Sequence, residues 1–228
     1  MIWFATVRQF DFQLFQQING WAGRWAWLDA AGIFAAVYVI WLIGLIALVP
    51  FVRRAKARES AGEAFPPARR SWFFPSGMPA LAPAVLQPDI GHARWTDFLV
   101  VVAAPVVAFC ARLGVGEWIG RLRPYEHDGV ARLLVANLAE SSFPSSHAAV
   151  SFALAGAVYA VSPLRGALLT VAALVVAWGR VFVGVHYPSD VIGGALLGLI
   201  SAFVARMFIR FLQVAHQQKS QFQNTNVK

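Results

Sequence analysis

The amino-acid sequence predicts an all-α, polytopic membrane helix bundle with about five spans, preceded by an N-terminal amphipathic helix in the membrane interface. Three observations predict it. The 228 residues are 58% hydrophobic, with a mean hydropathy of +0.59. Only 13% are charged, against roughly 25% in an ordinary soluble domain. Apolar stretches of about 20 residues, the length that crosses a bilayer core of about 30 Å, recur between polar corners. The net charge of +8 does not point to nucleic acid, because so little of the chain can present a solvated basic face. Positive-inside anchoring accounts for it, and the bilayer is the expected partner. Cys110 is the single cysteine, so no internal disulfide can form.

Three regions are expected: an interfacial helix and turn over residues 1–27, a membrane domain over 28–211, and a polar cytoplasmic tail over 212–228. In the first, Trp3, Val7, Phe10, Leu14 and Ile18 recur at helical spacing, while Arg8, Asp11, Gln13, Gln16 and Gln17 fall on other faces. That pattern is too polar to span and reads as an amphipathic helix. A turn at Asn19-Gly20 and an aromatic belt of Trp21, Trp25 and Trp27 follow. With no apolar run ending in a small-residue cleavage site, the spans themselves are expected to direct insertion.

The first span is expected from Leu28 to Phe51, followed at once by Arg53, Arg54, Lys56 and Arg58; this cluster, with Arg69 and Arg70, places the next loop in the cytoplasm. Residues 53–95 form that loop, and its many prolines exclude a regular helix. The tetrapeptide Pro75-Ser76-Gly77-Met78 within it resembles a phosphate loop by coincidence only. Further spans are expected from Thr96 to Ile119, from Ser146 to Val161, from Gly166 to Val185 and from Val191 to Phe208. The tail from Gln213 to Lys228 is polar and is expected to be disordered.

This topology sends most loop arginines and lysines inside, and the exceptions are Arg121, Arg123, Arg132 and Arg180. Three segments share the outer face: Arg121 to Pro124, Phe143 to His147, and Arg180 to Asp190. Their contents are complementary. Arginines supply forked donors that match phosphate oxygens, and two histidines can exchange protons near neutral pH. Ser145 and Ser146 precede a span, where the first-turn N–H groups of a helix attract an anion. They are equally ordinary N-cap residues, as are Ser189 and Asp190 after Pro188, and the two roles are compatible. No cysteine pair or histidine–carboxylate cluster has metal-ligand spacing, so no metal and no cofactor are expected.

Arg123-Pro124, then Pro144-Ser145-Ser146-His147, then Arg180 with His186 and Asp190, resemble the three signature motifs of the type 2 phosphatidic acid phosphatase superfamily, which also includes the vanadium haloperoxidases. The resemblance covers about the C-terminal half of the chain. It implies that His186 is the nucleophile, forming a phosphohistidine, and that Asp190 orients and charges its ring. It implies that His147 protonates the leaving oxygen and then activates water. Arg123, Arg180, the Ser145 hydroxyl and the backbone at Ser146 would hold the phosphate oxygens. The family usually has a lysine where Gly116 stands, and Arg121 is the obvious substitute. It also has glycine at Ser146 and serine at Gly179.

Within the superfamily the chain most resembles the bacterial undecaprenyl-diphosphatases associated with bacitracin resistance. That implies hydrolysis of undecaprenyl diphosphate to the monophosphate in the bacterial cytoplasmic (inner) membrane, with the site facing the periplasm or exterior, so that the carrier lipid is recycled. Other lipid phosphates (phosphatidylglycerophosphate, phosphatidic acid, lipid A) and phosphotransfer to a lipid acceptor stay open as alternatives. A non-enzymatic transporter or scaffold is the reading from a different class.

Overall fold

In the computed structural model, residues 2–49, 93–126, 131–136 and 141–225 are described. The proline-rich loop expectation lies outside these residues. Seven α-helices occur among them: α1 (Ile2–Asn19), α2 (Ala26–Val37), α3 (Val39–Val49), α4 (Ala93–Ile119), α5 (Ser146–Tyr159), α6 (Pro163–Phe182) and α7 (Pro188–Thr225). The architecture is all-helical, as expected.

Three helices (α4, α6 and α7) are long and apolar enough to cross a membrane; α2 and α3 add a fourth if that pair, bent by 46°, is one span. Apolar side chains such as Trp41 and Phe203 point outward with 76% and 67% exposure, as lipid-facing residues must. The expected span from Ser146 to Val161 is different. Its helix, α5, has 14 residues and so extends only about 21 Å at about 1.5 Å per residue. Most of its residues are buried, because α4, α6 and α7 all pack on it.

Small residues permit that packing. A Cβ at Gly198 of α7 would stand 2.2 Å from the Ala149 carbonyl oxygen, so only glycine allows the α5 and α7 backbones to come so close. The contact fixes the N-terminus of α5 against that of α7, where the Ser145 N–H donates to the Asp190 carbonyl at 3.0 Å. On the other side, α4 ends at Gly120, whose φ of +59° turns the chain out into Arg121 to Pro124.

Two elements differ from expectation. The tail is helical: α7 continues to Thr225, because no glycine or proline interrupts its Gln, Ala, Lys and His residues and an existing helix extends readily through such residues. In α1 the buried face runs through Asp11, Phe15 and Asn19, while Phe10 is 66% exposed. Of the expected apolar stripe, Phe10 points outward while Ile18 packs against the core beside Phe15, so the inward face of α1 is partly polar.

Candidate active site

The corner between α6 and α7 carries the third sequence segment. The chain leaves α6 at Phe182 and turns at Gly184, whose φ is +87° and whose Cβ, if present, would lie 2.6 Å from the Arg132 carbonyl oxygen. Only glycine serves there. Asn19 of α1 braces the same turn, its Nδ2 donating to the carbonyls of Phe182 at 2.8 Å and Arg132 at 2.9 Å. His186 follows, fully buried, and α7 begins at Pro188.

Asp190, also fully buried, lies in the first turn of α7 and does two jobs. Its Oδ2 accepts the Tyr187 backbone N–H at 2.8 Å, capping the helix start. The same oxygen accepts the Ser142 hydroxyl at 2.5 Å and stands 3.8 Å from His186 Nδ1. That last distance is longer than a hydrogen bond, and the contact is an ion pair only when the ring is protonated. Ser142 Oγ, at 3.5 Å from His186 Nδ1, lies near both partners. Burial pushes the His186 imidazole down from 6.5 to about 4, with Asp190 pulling the other way and Arg180 and Arg123 adding to the burial. The ring is therefore neutral at physiological pH and carries a lone pair.

The other oxygen, Oδ1, accepts Arg121 NH1 at 2.7 Å. Arg121 was expected among the phosphate-holding groups, and both of its terminal nitrogens also meet protein oxygens. NH1 also donates to Ser189 Oγ at 2.6 Å, and NH2 pairs with Asp11 at 2.7 Å. Two carboxylates hold the guanidinium, and it lies over the Tyr187 ring at 4.3 Å.

The remaining expected residues gather around His186. Ser145 occupies the N-cap position of α5, yet its side chain makes no capping bond, and its buried Oγ has no hydrogen-bond partner. His147, one residue into α5, is close enough to His186, Arg180, Arg123 and Arg112 to interact with all four electrostatically. Ser146 contributes a first-turn N–H of the same helix. Arg180 and Arg123 are 5% and 3% exposed. Besides Ser145 Oγ, the buried atoms without a partner include His147 Nδ1, Arg180 Nε and His186 Nε2. Leaving such groups unmet is costly. Together they make a cationic, donor-rich cradle with one imidazole lone pair, the complement of a tetrahedral anion. An open groove of about 480 Å³, lined in part by Arg112, Gly116, Arg121, Glu126 and Ser141, borders the site on its Arg121 side.

Sequence reasoning missed Asp11, Ser142 and Arg112. Arg112, 3% exposed and one turn before Gly116, donates from NH2 to the Ser141 carbonyl at 2.9 Å and from Nε to that of Pro144 at 3.3 Å. It braces the loop that carries Ser142 and Ser145 and brings a positive charge near the position where the lysine was expected. An arginine inside an apolar helix was the available signal. Gly179 has its own reason. A Cβ there would lie 2.7 Å from the Ala36 backbone nitrogen of α2, so a serine would clash with α2.

A helical membrane protein that gathers buried arginines, two histidines and an aspartate into one cluster defines a class. A profile of the PAP2 superfamily matches residues 94–213, and the chain belongs to that superfamily. It is 37% identical over 105 residues to "Putative undecaprenyl-diphosphatase YbjG" of Escherichia coli (strain K12), a match covering 44% of this chain and 53% of that protein. It is 31% identical over 134 residues to "Bacitracin transport permease protein BcrC" of Bacillus licheniformis, covering 57% of this chain and 66% of that one. The match to the first thus spans about half of that relative's length. The crystal structure of Aquifex aeolicus LpxE superposes with a TM-score of 0.56 at 20% identity, covering 85% of this chain and 92% of that one, so the two share a fold.

Proposed function

We infer that this protein is a membrane lipid phosphatase that hydrolyses undecaprenyl diphosphate to undecaprenyl phosphate. The observation that carries the chemistry is the set of unmet buried atoms around His186: a neutral imidazole nitrogen beside Arg180, Ser145 and His147, backed by a carboxylate. His186 Nε2 attacks phosphorus, and the bond to the leaving oxygen breaks as His147 donates a proton to it. Asp190 stabilises the positive charge that develops on the His186 ring. Arg123, Arg180, the Ser145 hydroxyl and the Ser146 N–H hold the non-bridging oxygens as charge builds on them. In the second step His147 takes a proton from water, which attacks the phosphohistidine and releases phosphate. The motif resemblance and the printed names of relatives support undecaprenyl diphosphate as the substrate. The positive-inside pattern supports a site on the periplasmic or outer face, where turnover would return the carrier lipid for envelope synthesis.

The name of the Bacillus licheniformis relative favours a second reading, transport. The two separate in one assay. Purified protein in detergent should release phosphate from undecaprenyl diphosphate faster than from phosphatidic acid, phosphatidylglycerophosphate or lipid A. His186→Ala and His147→Ala should each lower that rate by at least about 10³-fold while the protein remains folded. Release unaffected by either substitution would end the mechanism, and no release at all would favour transport.

A further inference from the structure

Helix α1 meets the catalytic corner through a carboxylate. Asp11 is 6% exposed, and both its oxygens are occupied. Oδ1 accepts the Ser189 backbone N–H at 2.8 Å, an otherwise orphaned first-turn donor of α7. Oδ2 accepts the Ser189 hydroxyl at 2.5 Å and Arg121 NH2 at 2.7 Å. From its other terminal nitrogen, Arg121 donates to Asp190 Oδ1 at 2.7 Å. A continuous series of charge-assisted bonds thus runs from α1 through Arg121 to the carboxylate that backs His186.

Docking alone does not require this arrangement. Phe15, fully buried and edge-on to Tyr187 at 5.4 Å, holds α1 by apolar contact with Phe12 and Ile18 beside it. A buried carboxylate on the same face adds a desolvation cost that apolar docking would avoid. What the carboxylate adds is direction. Arg121 is 28% exposed, so with one carboxylate it could swing toward water, whereas between two its plane is fixed. Asp190 Oδ2 is already held by Ser142 and the Tyr187 N–H, and Arg121 fixes Oδ1. The 3.8 Å gap between Asp190 and His186 is short enough that a small rotation of the carboxylate makes or loses the contact.

We propose that Asp11 is a positioning residue for the reaction, holding Arg121 and the first turn of α7 so that Asp190 presents a fixed oxygen to His186. This rests on the phosphatase reading above. In the full-length protein, Asp11→Asn keeps the shape but gives up the negative charge. It should lower kcat for the lipid phosphate that the unsubstituted protein hydrolyses by about 10- to 100-fold, with KM within about twofold, since small displacements near the chemistry cost that much. Asp11→Glu should recover part of the loss. Phe12→Ala, which weakens apolar docking only, should lower the melting temperature while the folded protein keeps kcat within about threefold. Asp11→Asn with unchanged kcat, a loss confined to KM, or an equal kcat loss in Phe12→Ala would each overturn the proposal. Those results require an active unsubstituted protein and leave the phosphatase reading standing; an inactive one would remove both.

Discussion

The two sides of His186 differ in how completely their polar groups are matched. On the Nδ1 side, Asp190, Ser142, Ser189, Arg121 and Asp11 form a closed network in which both carboxylates are fully engaged. Beyond that network, His186 Nε2 itself and Ser145 Oγ, Arg180 Nε and His147 Nδ1 are buried and unmet. A protein gains stability from the first kind of region and gives it up in the second, so the second is where a ligand is expected to supply the missing partners. In the proposed mechanism the matched groups orient the ring and the unmatched ones bind.

Substitutions on the two sides should therefore fail differently. On the unmatched side, Arg180→Gln should reduce kcat/KM for phosphate release by roughly 10²- to 10³-fold, as loss of a preorganised charge-stabilising donor does. Its melting temperature should hold or rise, because a buried, imperfectly paired charge is removed. A fall in both would erase the contrast. On the matched side, Ser142→Ala should lower kcat by about tenfold and also cost about 1–3 kcal/mol of stability, because a buried carboxylate loses a donor; denaturant unfolding beside the kinetic assay reads both. A further effect concerns pH and is read in stability alone. The folded His186 ring titrates near 4 and the unfolded one near its ordinary 6.5, so on acidification the unfolded chain binds the proton first. Stability should be level above about 6.5, decline as pH falls toward about 4 and then flatten. Melting temperatures across that range should show this slope, and His186→Asn should reduce it.

The helices and the residues that gather around His186 were readable because each has a local signature. Apolar length marks a span, and Arg123, His147, Arg180, His186 and Asp190 sit in short motifs at span ends. What escaped depends on contacts between distant parts of the chain. Asp11 was grouped with the solvated residues of an amphipathic helix, since nothing in the first 19 residues indicates that Ser189 waits for it. Ser142 differs from any loop serine only by its distance to Asp190. Arg121 was read as a phosphate ligand because its partners, Asp11 and Ser189, lie far away in sequence. Helix α5 was read as a span like the others, and hydropathy alone does not reveal that α4, α6 and α7 bury most of its residues. The helical tail escaped for the opposite reason: polarity is a poor guide to helix formation when a long helix already leads into the segment.

Asp11 and Ser189 are 178 positions apart. During synthesis the first leaves the ribosome with α1 and the second only as α7 begins to emerge. The carboxylate of α1 must therefore wait for its mate while α2 to α6 are made, and a chain halted before α7 would lack Ser189, Asp190 and the clasp that steadies His186. Activity should switch on late and abruptly in biogenesis, which protects the bilayer from half-made, hydrolytically competent intermediates.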